Sequence, residues 1–141
     1  MERILGIDYG DSKVGLSVND ELNIMATPIK TIFYKGNEKL LFDELSDIIK
    51  KYNILKIIVG IPLNMNGTKG YRYEKTQEFI QKLVNRYNLP VDTIDERLTT
   101  SYSNTILNQL GTKSKKKKKV EDTMSAVYIL QDYIDKSKQI R

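Results

Sequence analysis

At 141 residues, with 23 Lys+Arg against 18 Asp+Glu and a net charge of +5, the chain has the length of one domain able to bury a core, expected over 1–141. It contains neither Cys nor His, which excludes thiol nucleophiles, Ser-His-Asp triads, imidazole bases and Cys/His zinc sites; an enzyme built from it must work with carboxylates, hydroxyls, Lys, Arg or Tyr, and any metal would be held by oxygens, which suits Mg²⁺ or Mn²⁺. No apolar run nears the roughly 20 residues of a membrane span, and the start Met1-Glu2-Arg3 is not that of a signal peptide, so a cytoplasmic location is expected.

Arg3 to Asp8 reads as a strand whose apolar core, Ile4-Leu5-Gly6-Ile7, suits burial on both faces. After the turn Tyr9-Gly10-Asp11-Ser12, Lys13 to Asn19 alternates strictly, with Val14, Leu16 and Val18 on one face. Met25 to Ile32 is a third strand, and its Pro28 suits an edge. Asn37 caps a helix to about Tyr52, with Leu41, Leu45, Ile48 and Ile49 inward. Lys56 to Ile61 is a buried strand followed by a loop from Leu63 to Gly70. Tyr73 to Tyr87 is a helix with Phe79, Ile80, Leu83 and Val84 as its stripe. Val91 to Glu96 is the fifth strand. Thr99 or Thr100 opens a third helix ending at Gly111, a lysine-rich loop follows, and a last helix runs from about Val120 to Lys136.

The order βββ-α-β-α-β-α-α predicts an α/β fold. Three antiparallel meander strands and then parallel strands make a five-stranded mixed sheet with helices on both faces. In such sheets sites gather beyond the carboxyl ends of the parallel strands, where Asp8, Asn64 and Asp95/Glu96 fall.

Six of the seven residues from Lys113 to Lys119 are lysine, interrupted by Ser114. Without them the chain would carry 17 basic against 18 acidic residues, so the basic excess is local. Such a run attracts polyanions through counterion release, or is simply a solvated loop. Asp122 heads the stripe Asp122, Ala126, Ile129, Tyr133 and is expected inward as a ligand, with an N-cap role as the competing account. Glu121 shares the wet side with Ser125, Tyr128, Asp132 and Asp135. Asp8, at a strand end, is a turn-forming residue or a metal ligand. Asp95 and Glu96 alternate in direction, so one of them would join Asp8, and the pattern does not decide which. Three carboxylates without an imidazole suit a two-metal phosphodiesterase.

Four motifs taken together resemble the YqgF/RuvX family. They are Gly6-Ile7-Asp8-Tyr9-Gly10 with Gly15-Leu16-Ser17; Val59-Gly60-Ile61-Pro62-Leu63-Asn64-Met65-Asn66-Gly67-Thr68; Asp95-Glu96-Arg97-Leu98-Thr99-Thr100; and Lys119-Val120-Glu121-Asp122 leading into Ala126-Val127-Tyr128-Ile129-Leu130-Gln131. Its members are described as Holliday junction resolvases and as nucleases that mature the end of the small-subunit ribosomal RNA precursor. The resemblance implies a ribonuclease H-like fold and a carboxylate-bound divalent metal, with Asp8, Glu96 and Asp122 as the acids. It is this likeness that selects Glu96 over Asp95. Arg97 and Asn64 match polar positions near substrate phosphate. Lys13 stands where the family usually has Arg, Asn66 where it usually has an acid, and Ser125 where a second Ala is usual.

The function expected is a Mg²⁺- or Mn²⁺-dependent endonuclease on structured nucleic acid, processing the 5′ end of the 16S ribosomal RNA precursor. Lys13, Asn64, Arg97 and the lysines Lys115, Lys116, Lys117, Lys118 and Lys119 would face phosphates. The alternatives are resolution of branched DNA, a non-catalytic nucleic-acid-binding factor of ribosome assembly, and an actin-like nucleotide-binding domain. The partner is nucleic acid, with a ribosomal precursor as a further one; the chain would act as a monomer or, on a two-stranded junction, as a homodimer.

Overall fold

The structure is a computed structural model that describes residues 2–64, 66–96 and 114–139, with backbone alone for 114–122 and for 139. Its elements are β1 (Arg3–Tyr9), β2 (Lys13–Asn19), β3 (Ala26–Phe33), α1 (Glu38–Lys51), β4 (Ile54–Ile61), α2 (Tyr71–Tyr87), β5 (Val91–Asp95) and α3 (Ser114–Gln139). The helix expected to end at Gly111 lies outside the described residues.

The five strands form one sheet in the order β3-β2-β1-β4-β5. β1 pairs antiparallel with β2, and β2 with β3, while β1, β4 and β5 run parallel. This is the mixed sheet expected from the element order. One face carries Leu5, Ile7, Val14, Leu16, Ile57 and Val59 against α1 and α2. The other carries Ile4, Ile58 and Ile94 against Ile129, Leu130 and Ile134 of α3. Among the described residues no helix is long and apolar enough to cross a membrane.

Local signals place the helices. The Asn37 side chain accepts from the Leu40 amide and opens α1. Asn88, in the left-handed region, closes α2 with its amide on the Val84 carbonyl. Alternation alone would let one face of β2 meet water, yet Ser17 and Asn19 are fully buried beneath α3. Both are satisfied there. Ser17 Oγ donates to the Ala126 carbonyl, Asn19 Oδ1 accepts from the Ile4 amide, and Asn19 Nδ2 donates to the Glu2 carbonyl.

Three expectations need correction. The last helix begins at Ser114, so Lys115 to Lys119 form its first turns and not a loop. Lysine has good helix propensity, and lengthening a formed helix adds one hydrogen bond per residue, which outweighs side-chain repulsion of about 0.2–0.5 kcal/mol per pair. Val84, expected in the buried stripe of α2, is exposed, and Thr76 takes an inward place. Tyr128, expected on the wet side of α3, is buried. Ala126 to Leu130 are all buried, so the covered arc of the helix is wider than a single stripe.

Candidate active site at the carboxyl ends of the parallel strands

Asp8 lies near the end of β1, one residue beyond the fully buried Ile7, and is half-buried. Ile4 packs on the α3 side of the sheet, so Gly6 and then Asp8 fall on that side too. In β4, Ile58 and then Gly60 share it. In β5, Ile94 shares it and pairs with Gly60. A Cβ built on Gly60 would lie 2.5 Å from Ile129 Cδ1 and 3.5 Å from Glu96 Cγ. The Glu96 side chain therefore runs beneath α3, on the Asp8 side. Asp95 pairs with Ile61, which packs with α1 and α2, so its Cβ takes the opposite face. Gly60, between the strands of Asp8 and Glu96, contributes no side chain, and the room this leaves is taken by Ile129 of α3 with Glu96 beside it.

The direction of α3 follows from three contacts. Thr123 Oγ1 meets Thr31 Oγ1 at 2.8 Å, and Thr31, Gly15 and Asp8 form one row across β3, β2 and β1. Ala126 lies over Ser17 and Gly6. Gln131, two turns on from Thr123, holds the Ala26 amide at the start of β3. The helix thus runs antiparallel to β1, and its backbone brings Asp122, next to Thr123, to the level of Asp8.

A small cleft of about 110 Å³ opens at Asp8, lined also by Tyr9, Gly10, Lys13, Gly15 and Arg72. Gly10 makes the β1–β2 turn possible, since a Cβ there would meet the Lys13 carbonyl oxygen at 2.8 Å. Lys13, half-buried, lies at the start of β2. Arg72 was not among the expected site residues. The predicted helix began at Tyr73, whereas α2 begins at Tyr71 and carries Arg72 in its first turn. The legible signal was a basic residue directly after a loop that leaves a strand end.

Asn64 sits in that loop. Its Nδ2 donates to Thr68 Oγ1 at 2.9 Å and its amide to the Thr68 carbonyl. Asn66 Oδ1 accepts from the Thr68 amide and hydroxyl, so the asparagine in place of an acid is a loop-closing group. Asn64 is exposed and its side chain approaches Gly70, the N-cap of α2, which itself stands two residues before Arg72. Arg97 lies outside the described residues. Lys115 to Lys119 and Asp122 are placed by their helical backbone only.

Oxygen-only donors at Asp8 and Glu96, beside a side-chain-free Gly60, match the chemistry of a hard divalent cation. Among the described residues no group of three His, Cys, Asp or Glu gathers as a metal cluster. The third acid of the expected set, Asp122, contributes its backbone alone to that description.

The family model RuvX, described as Holliday junction resolvase, matches residues 2–136. The chain belongs to the RuvX family. It is 46% identical over 134 residues to a protein of Ruminiclostridium cellulolyticum named "Putative pre-16S rRNA nuclease", covering 95% of this chain and 94% of that one. A protein of the same name from Acetivibrio thermocellus is 43% identical, with 94% and 95% covered. Among solved structures, Thermus thermophilus RuvC in complex with a Holliday junction substrate matches with a TM-score of 0.62 at 12% identity, over 98% of this chain and 97% of that one. The Fowlpox virus resolvase in complex with Holliday junction DNA matches with a TM-score of 0.58 at 13% identity, over 96% and 98%. The fold of this RuvX protein is thus the ribonuclease H-like fold of the resolvases.

Proposed function

We propose that this RuvX protein is a divalent-metal-dependent endonuclease that hydrolyses phosphodiester bonds in structured nucleic acid, acting on the 5′ end of the 16S ribosomal RNA precursor. The observation that carries this reading is the placement of Asp8 and Glu96 on one side of the parallel strand ends, with Lys13 and Arg72 lining the cleft at Asp8. The names of relatives at 43–46% identity support the ribosomal precursor as substrate.

Asp8, Glu96 and Asp122 would hold the cation, Mg²⁺ or Mn²⁺. When bound, such an ion supplies an activated water and neutralises charge building on the phosphate. Lys13 and Arg72 bind non-bridging oxygens and turn the phosphorus toward the acids. Arg72 adds the planar, two-pronged donor geometry that Lys13 lacks at the family's usual arginine position. Arg97, Asn64 and Lys115 to Lys119 seat the flanking backbone, in a manner indifferent to sequence.

The test is cleavage of matched precursor RNA and four-way-junction DNA by wild type and Asp8→Asn in Mn²⁺. Metal-dependent cutting of the RNA that Asp8→Asn abolishes supports the reading. Cutting of the junction alone reassigns the substrate to branched DNA. Binding of either without cutting makes the protein a non-catalytic assembly factor.

A further inference from the structure

A second cleft, of about 370 Å³, opens on the other side of Tyr9, between the β1–β2 turn and the starts of α1 and α2. Three tyrosines shape it. Tyr9 lies flat on Phe79, with ring centroids 4.2 Å apart and planes at 15°. Tyr34 is 4% exposed and its hydroxyl donates to the Gly10 carbonyl at 2.5 Å. Both rings are held by their neighbours. Tyr71, the first residue of α2, is 66% exposed.

One helical stripe of α2 runs along this wall. Tyr71 is followed by Lys75 one turn later, whose ammonium lies 5.6 Å from the Tyr71 ring centre. Further along are Glu78, 3.7 Å from Lys75, and Lys82, bonded to Glu38 at 2.5 Å. Asp11 completes the rim. The cleft therefore offers a flat aromatic surface, cationic donors and carboxylate acceptors together. A site for phosphate alone has no use for an exposed aromatic face, and a site for an apolar ligand would not be ringed by ion pairs. A nucleobase needs all three features. Its face stacks, its edge both donates and accepts, and its own phosphate follows it. Tyr9 lines both clefts, so this one adjoins the cleft at Asp8 and Lys13.

We propose that this cleft seats an unpaired nucleotide of the strand being cut, its base against Tyr71, its phosphate on Lys75, and an exocyclic amine donating to Asp11 or Glu38. The inference rests on the nucleic-acid reading above and extends it to a base preference. Cytidine and adenosine carry the amine, and uridine does not.

The test uses the full chain in EDTA, with fluorescent hexamers of C, A and U followed by anisotropy, alongside cleavage of the precursor RNA in Mn²⁺. Tyr71→Ala is expected to weaken the C and A hexamers by about tenfold, in line with the loss of one base stack. Lys75→Gln is expected to lower the slope of log affinity against log salt by about 0.7. The U hexamer is expected to bind wild type more weakly than the C hexamer. Tyr71 is exposed, so an unchanged melting temperature will separate lost binding from lost folding. Hexamer binding that neither substitution alters, or no hexamer binding by wild type, overturns the cleft, even where the precursor is cut normally. Tyr71-dependent binding by a protein that cuts nothing upholds the cleft and removes the nuclease reading instead.

Discussion

Ser17 Oγ donates to the carbonyl oxygen of Ala126 at 2.7 Å, across 109 residues of chain. This buried bond fixes the last helix over the first two strands and so sets the level at which Asp122 arrives. Ser17→Ala should cost about 1 kcal/mol, the usual net worth of one hydrogen bond. Cleavage should fall more than that loss of stability explains. Thermal denaturation and rate, measured together, check both; a variant as stable and active as wild type contradicts the anchoring role.

The same contact surface limits two glycines to different degrees. A Cβ at Gly6 would stand 2.8 Å from Leu130 Cβ and 3.1 Å from the Ala126 carbonyl, atoms that cannot move without the helix. At Gly60 the first atom met is the terminal methyl of Ile129. Overpacking costs about 1–3 kcal/mol. Gly6→Ala should lie at or above the top of that range and Gly60→Ala near its bottom. Denaturant midpoints of the two variants decide; an inverted order counts against this packing.

Asp95 and Glu96 are neighbours of like charge on opposite faces. Glu96→Gln and Asp8→Asn should each lower cleavage by more than about a hundredfold, the upper loss typical of groups that only orient a metal ligand. Asp95→Asn should leave most of the activity. Loss on Asp95→Asn with retention on Glu96→Gln would reverse the assignment.

Lys13 and Arg72 line the Asp8 cleft and are expected to grip phosphate. Lys13→Gln and Arg72→Gln should raise KM and each lower the salt slope of binding by about 1 on duplex substrate. Arg72→Lys should recover charge but not geometry, and so should restore binding only in part. Full recovery by lysine would reduce the role of Arg72 to simple charge.

Burial, followed by the bond to Tyr9, pushes the Tyr34 phenol above its usual value of 10. Its neutral form is therefore favoured in the folded protein. The associated stability is fully present below pH 10 and is lost as pH rises above that value toward the folded pKa. Wild type should lose stability steeply above pH 10, and Tyr34→Phe should show a shallower alkaline limb. Tyr34→Phe should also lose about 1 kcal/mol at neutral pH with its bond to the Gly10 carbonyl. Identical alkaline limbs would mean that Tyr34 ionises freely.

Much of the fold was legible in advance because its signals are local. Period-2 alternation marked β2 to the residue, Asn37 marked the start of α1, and Pro28 marked the edge strand β3. The start of α3 was misplaced because a lysine run reads as solvated, whereas helix elongation depends on the backbone and tolerates charge. Arg72 was overlooked because a lone cation beside a loop has no pattern of its own; only the return of α2 across the end of β1 gives it a neighbour.

The linear chain by itself determined which chemistry was open to this protein. With no His and no Cys, only oxygen donors remain for a metal, and the motifs carrying Asp8, Glu96 and Asp122 are read directly from residue order. Tertiary structure alone decided that Glu96 and not Asp95 faces α3, that Gly60 makes room for Ile129 between the strands, and that Arg72 lines the cleft at Asp8. The physical reason is that a strand presents its residues to both faces alike. Which face becomes a site is settled only when a helix, held here by Ser17 and Ala126, packs over one of them.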